Sequence, residues 1–263
     1  MNTNTPLKAI PHKTGRTILA LMLREMSSTY GRSVAGYFWA LAEPVGGIAM
    51  MTILFSLALT APALGDNFPL YYASGFLPFI LYSELANKAG QSVRFSKPLL
   101  FYPGVTYIDA ILARVTLNAL TQIMVFVIVV ATIIVGFQID VILDVPAIAT
   151  AFAMALALAL GIGTLNCYLN WRLPSWERIW VIINRPLFLM SCVFFNFETV
   201  PQPFQDYLWF NPLIHVVGQM RRGIYATYDA EYVSLSYCFG LAGLCLLFGL
   251  LLLGRYHRDI VNG

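Results

Sequence analysis

Four stretches of this chain run the length of a bilayer crossing without one charged residue: Val45–Ala63, Val115–Phe137, Val145–Leu169 and Val233–Leu253. A hydrocarbon core of about 30 Å demands about 20 mostly apolar helical residues, because backbone N–H and C=O groups find no water there. Two further segments reach that length less cleanly. Phe68–Leu85 carries Pro69 and Pro78 and one charge, Glu84, near its end, while Ser175–Phe197 includes Glu177, Arg178 and Arg185. With 59% hydrophobic and only 11% charged residues, no soluble domain accommodates the whole. The pattern predicts an all-α, polytopic membrane protein forming a single domain over 1–263. Its six transmembrane helices are expected near 36–60, 68–86, 110–137, 145–169, 175–197 and 232–253. Ala61-Pro62-Ala63 mimics a signal-peptide cleavage site, but the apolar run is too long for an h-region and the polar arm too long for an n-region. The first run is therefore read as a retained span.

Charge asymmetry orients these spans, since Lys and Arg of short loops stay on the cytoplasmic side. Lys8, Lys13, Arg16, Arg24 and Arg32 precede span 1; Lys88, Arg94 and Lys97 lie between spans 2 and 3; Arg172 and Arg178 separate spans 4 and 5; Arg255 and Arg258 follow span 6. The opposite loops hold Asp66, Asp140, Asp144, Glu198, Asp206, Asp229 and Glu231, with Arg221 and Arg222 as basic exceptions. Both termini are thus expected in the cytoplasm. The net charge of +3 averages over this asymmetry and gives no pointer to nucleic acid.

Catalytic signatures are missing. There is no G-x-x-x-x-G-K-[ST] loop to hold ATP, no H-E-x-x-H and no G-x-S-x-G, and His12, His215 and His257 are scattered. Cys167, Cys192, Cys238 and Cys245 lie in apolar segments without C-x-x-C spacing and read as small buried hydrophobes, not metal ligands. No inverted repeat marks a secondary transporter.

Function is sought in the segments that do not span. Residues 1–33 form a cytoplasmic arm whose Leu19, Met22, Leu23, Met26 and Tyr30 share one helical face, which predicts an amphipathic interface helix; a plain topological anchor is the alternative. Between spans 2 and 3, prolines bracket an apolar knob, Lys97-Pro98-Leu99-Leu100-Phe101-Tyr102-Pro103. Such a knob either docks a partner or packs on the chain's own amphipathic helix. The stretch Glu198–Asp229, broken by Pro201, Pro203 and Pro212 yet rich in aromatics, reads as an outer re-entrant segment between spans 5 and 6, or as an interfacial aromatic belt. Within the spans, Glu43, Arg114 and Arg185 are costly and hence functional candidates; Glu43 and Arg185 either contact cargo or pair with each other.

Leu21-Met22-Leu23-Arg24-Glu25, Tyr30-Gly31-Arg32, Gly36-Tyr37-Phe38-Trp39 and Glu43-Pro44 together resemble the opening of the type-2 ABC exporter permeases that handle capsular polysaccharide. Asp109-Ala110-Ile111-Leu112-Ala113-Arg114 is similar to the start of that family's third helix, and Trp209-Phe210-Asn211-Pro212-Leu213-Ile214-His215 with Arg222-Gly223 to its outer re-entrant element. The likeness is to KpsM-like and, less closely, Wzm-like subunits. It implies a homodimer bound to two separate ATPase subunits, with ATP and Mg on those partners and no cofactor in this chain. It further implies export of a lipid-linked glycan, with a periplasmic polysaccharide co-polymerase and an outer-membrane export protein beyond. Lys97, Pro98, Leu99, Leu100, Phe101 and Tyr102 would then couple to the ATPase. Tyr37, Phe38, Trp39, Glu43, Arg185, His215, Arg221 and Arg222 would line the substrate path, and Arg24 and Arg32 its headgroup or cytoplasmic mouth. O-antigen, teichoic acid or a small hydrophobic compound are alternative cargoes, and a pore-less membrane scaffold is the alternative of another class.

Overall fold

The computed structural model describes residues 13–29, 35–101 and 104–262, with the side chains of 13, 28, 29, 35–37 and 257–262 also left out. Arg32 and Tyr102 lie outside the described residues, as does the side chain of Tyr37. Among the described residues the elements are helical throughout: α1 (Lys13–Thr29), α2 (Ala35–Ser56), α3 (Phe68–Gly90), α4 (Ser92–Ser96), a 3₁₀ turn at Lys97–Leu99, α5 (Tyr107–Gly136), α6 (Val145–Arg172), α7 (Trp176–Leu189), a second 3₁₀ turn at Phe197–Thr199, α8 (Phe204–Trp209), α9 (Pro212–Ile224) and α10 (Leu235–Asn262).

Helix starts are written in the sequence. Asn67 caps α3 by accepting from the Leu70 N–H at 3.0 Å, with Pro69 in the first turn, where a missing N–H costs nothing. Thr106 and Asp109 form a reciprocal capping box on α5, and Asp144 accepts from the Ala147 N–H to begin α6. Among the described residues four helices are long and apolar enough to cross a membrane: Phe38–Ser56, Tyr107–Gly136, Val145–Arg172 and Leu235–Tyr256. The other two expected spans differ. Helix α3 has the length but includes Pro69, Pro78, Glu84 and Lys88. Helix α7 stops at Leu189, well before the expected end at Phe197, and its 14 residues measure about 21 Å. Beyond it the backbone turns irregular, with Cys192 at φ +57°, the left-handed region a side chain rarely adopts.

The core is built around α3, α6 and α9. Helix α6 presents alanines and glycines so that its neighbours approach closely: a Cβ at Gly163 would meet the Ala89 Cβ at 2.5 Å and the Ala86 carbonyl at 2.9 Å on α3, and one at Gly161 would collide with the Ala242 carbonyl on α10. Van der Waals contact between small residues replaces the hydrophobic effect as the force joining helices in lipid. Tyr71, Tyr72 and Tyr82 of α3 are fully buried in this core. At the periphery lie α2 and α7. No residue of α7 is buried, and α2 leaves Trp39, Met50, Ile53 and Leu54 exposed.

Candidate functional site

The knob between spans 2 and 3 has two sides. Helix α3 ends at Gly90, and Ser92, Val93 and Ser96 of the short α4 turn inward while Arg94 and Phe95 turn out. In the turn that follows, Leu100 is half-buried against the core, whereas Pro98 and Phe101 stand clear, Phe101 with 63% of its surface exposed. Lys97 and Leu99 are half-buried between them. Leu100 therefore anchors the turn and Phe101 projects from it.

Behind the knob lies an ion pair that sequence reading did not assemble. Arg114, near the start of α5, is buried, and its Nε donates to Glu25 Oε1 on α1 at 2.8 Å. The Arg114 guanidinium also sits 4.2 Å from the ring centre of Phe95, and Arg24 approaches the same ring at 5.7 Å. One aromatic ring of α4 thus meets two cations, one from α1 and one from α5. Helix α1 turns Glu25 inward and leaves Leu19, Leu23 and Met26 exposed along the opposite side. Of the apolar stripe expected to lie on lipid, Leu19, Leu23 and Met26 are uncovered, Met22 is half-buried, and Tyr30 lies outside the described residues.

The residues assigned to the substrate path separate into two groups. Phe38 and Trp39 form an edge-on pair at 5.9 Å, each about two-thirds exposed, and Glu43 one turn further along α2 is exposed as well. Arg185 on α7 is exposed. No ion pair joins Glu43 to Arg185 among the described residues, so the pairing held open as an alternative is not formed within one chain. Arg222 likewise points outward.

Arg221 and His215 are enclosed. Arg221 has no exposed surface; its Nη1 donates to the Phe195 carbonyl (3.0 Å) and Asn196 Oδ1 (3.1 Å), its Nη2 to the Val193 carbonyl (3.0 Å), and its guanidinium lies 4.3 Å from the ring centre of Tyr71. Two of these acceptors, the Val193 and Phe195 carbonyls, belong to the irregular backbone after α7, where no helix ladder satisfies them, and the third is the side chain of Asn196 in the same stretch. Asn211 Nδ2 donates to the Met190 carbonyl at the same break. The expected Arg221-Arg222 pair is therefore split, one residue clasping backbone and the other facing out, because consecutive residues of a helix project about 100° apart. His215 is also fully buried: Nδ1 accepts from the Ser234 N–H at 3.2 Å and Nε2 faces the Trp209 carbonyl at 2.9 Å. That geometry fixes the Nε2–H tautomer and occupies both ring nitrogens. Burial holds its pKa below the usual histidine value, against hydrogen bonds with the Trp209 and Tyr232 backbone that pull it back up. Cys167, Cys192 and Cys238 are buried and Cys245 half-buried, all as free thiols.

The chain is similar along almost its whole length to bacterial capsule-export proteins. It is 27% identical over 236 residues to the polysialic acid transport protein KpsM of Escherichia coli, covering 90% of this chain and 92% of that one. Over 246 residues it is 26% identical to the capsule polysaccharide export inner-membrane protein CtrC of Neisseria meningitidis serogroup A, covering 93% and 92%. Against the capsule polysaccharide export inner-membrane protein BexB of Haemophilus influenzae the identity is 24% over 247 residues, covering 94% and 93%. No family model matches the chain.

Proposed function

We propose that this chain, a homologue of capsule polysaccharide export inner-membrane proteins over about nine tenths of its length, is the permease subunit of an ATP-driven exporter that moves a lipid-linked polysaccharide from cytoplasm to periplasm. Two copies assemble with two separate ATPase chains, six segments cross the membrane with both termini inside, and the Lys97–Phe101 turn receives the ATPase stroke. The observation that supports this best is the character of the uncovered faces of α2 and α7. Each is apolar for most of its length yet carries an exposed ionisable group within that apolar run, Glu43 on α2 and, beyond Glu177 and Arg178 of the first turn, Arg185 on α7. A lone arginine at the centre of a bilayer costs about 2.5–3.5 kcal/mol even on the lenient insertion scale. Such faces are stable against a second protein surface or a hydrated path, not against lipid tails. Exposed Phe38 and Trp39 add flat apolar surface on which sugar C–H faces can slide.

Two measurements test the reading. Deleting the gene should abolish surface polymer and leave lipid-linked polymer in the cytoplasm; undiminished surface polymer would end the proposal. Phe101→Asp should lower co-purification of the ATPase at least about tenfold, because burying an unpaired carboxylate in an apolar socket exceeds the ~1.4 kcal/mol that a factor of ten represents. Phe101 is exposed, so membrane insertion and yield should stay unchanged. Normal co-purification would move the coupling contact elsewhere.

A further inference from the structure

Adjacent side chains of α4 reach different neighbours. The Phe95 ring lies under the guanidinium groups of Arg114 on α5 and Arg24 on α1, at 4.2 Å and 5.7 Å. Arg94 reaches α7 instead, its Nη1 3.5 Å from Glu177 Oε2, and Gln91, at the junction of α3 and α4, donates from Nε2 to Glu177 Oε1 at 3.1 Å. Consecutive helical residues project about 100° apart, so a displacement of α4 is felt by α1 and α5 in one direction and by α7 in another.

The two connections differ in strength. On the Phe95 side Arg114 is buried against Glu25, and a buried pair separates only at high cost. The Arg94 and Glu177 side chains are 84% and 48% exposed. So exposed a pair favours contact over separation by no more than about fivefold, which lets it open and re-form readily. A cavity of about 430 Å³ beside it, lined in part by Gln91, Arg94, Lys97, Trp171 and Glu177, gives these side chains room to swing without displacing packed neighbours. Helix α7 is built to respond. None of its residues is buried, and among the described residues no side chain from Arg178 to Arg185 makes a hydrogen bond or ion pair to another helix. Its ends are tied instead: the Trp176 indole N–H donates to Asn166 Oδ1 of α6 at 2.9 Å, and the Phe188 ring lies 4.8 Å from that of Phe79 on α3.

We propose that Glu177 is a positioning residue for export, a breakable latch through which α4 takes hold of the first turn of α7. The inference rests on the permease reading above, which assigns the ATPase stroke to the adjoining Lys97–Phe101 turn, and deepens it by naming the contact that passes the stroke to α7. A purely local role for the same carboxylate is stabilisation of the helix start, since an acid in the first turn of any helix is favoured by the macrodipole. That role needs no Arg94, so exchanging the two charges separates it from the latch.

Surface polymer is measured in cells, and hydrolysis by the bound ATPase in membranes from the same cells. Glu177→Arg sets a second cation against Arg94 and should lower surface polymer about fivefold, while ATPase co-purification and hydrolysis persist, so that more ATP is hydrolysed per polymer exported. Arg94→Glu combined with Glu177→Arg should bring polymer back to within about twofold of the parent, because the pair is restored with its signs reversed. An exchange that restores nothing overturns the latch and leaves the helix-start role; a loss of hydrolysis in proportion to export overturns it as well. A second arm needs no charge change to succeed. In a chain whose native cysteines are changed to alanine, the exposed positions Arg94→Cys and Glu177→Cys are bridged by a bismaleimide with a disulfide spacer. Bridging should stop export and reduction of the spacer should restore it; export that continues while the bridge is closed overturns the latch. Undiminished polymer in cells lacking the chain overturns the permease reading instead, so the two failures are separable.

Discussion

Two buried arginines sit over aromatic rings at nearly the same distance, Arg114 at 4.2 Å from Phe95 and Arg221 at 4.3 Å from Tyr71, yet their charges are compensated in different ways. Arg114 meets a carboxylate, Glu25, delivered by a separate helix. Arg221 meets neutral carbonyl dipoles from one broken stretch of backbone. An ion pair between elements couples their positions and is lost when either charge goes. A guanidinium held by carbonyls fixes a local backbone shape that no single acceptor controls. Arg114 therefore links α1, α4 and α5, which flank the Lys97–Leu99 turn, while Arg221 holds the end of α7 against α3 and α9.

The largest expected effect breaks the Arg221 clasp. Arg221→Met removes three donated hydrogen bonds at once and strands the Val193 and Phe195 carbonyls, each worth about 1–3 kcal/mol when left unmade, while Asn196 Oδ1 keeps the Tyr71 hydroxyl. Folded yield in detergent should collapse. Arg221→Lys should recover little of it, since an ammonium cannot span the acceptors as a planar fork. A variant Arg221→Met that melts within a few degrees of the parent would show that the carbonyls find other donors.

The Glu25–Arg114 pair should behave differently under paired substitution. Glu25→Gln or Arg114→Gln alone leaves a buried charge facing no opposite charge and should cost about 3–5 kcal/mol. Both together should recover much of that loss, with a coupling energy of about 1–3 kcal/mol in a double-mutant cycle on thermal unfolding. Additive losses would mean that Glu25 and Arg114 do not act on each other, and the contrast between the two arginines would fail.

The helix pattern was legible because spanning length and missing charge are one-dimensional properties, and caps such as Asn67, Thr106-Asp109 and Asp144 lie next to the helices they start. The end of α7 was not legible. Pro186 is carried inside the helix, and the break follows at Met190–Asn196 because Arg221 and Asn211, distant in sequence, supply its hydrogen bonds. Glu25 was visible as the sole acid in a basic arm, but nothing local named Arg114 as its partner. Exposed Phe101, Glu43 and Arg185 were read directly, since each breaks the local pattern of its own segment.

The smallest expected effect concerns His215, which shares α9 with Arg221 but needs its ring neutral. Protonation would place a second N–H at Nδ1, against the Ser234 N–H it now accepts. In the unfolded chain a histidine takes up a proton near pH 6.5, whereas burial holds the folded ring's pKa lower. The unfolded state therefore binds more protons as pH drops, and the stabilisation present above about pH 6.5 is lost progressively below it, by at most ~1.4 kcal/mol per pH unit. Thermal midpoints of the purified protein should fall between pH 7 and pH 5.5 more steeply for the parent than for His215→Gln, whose amide can still donate toward Trp209 without titrating. Parallel slopes would show that α9 tolerates the charged ring. In that case burial, and not charge, is what it shares with the arginine beside it.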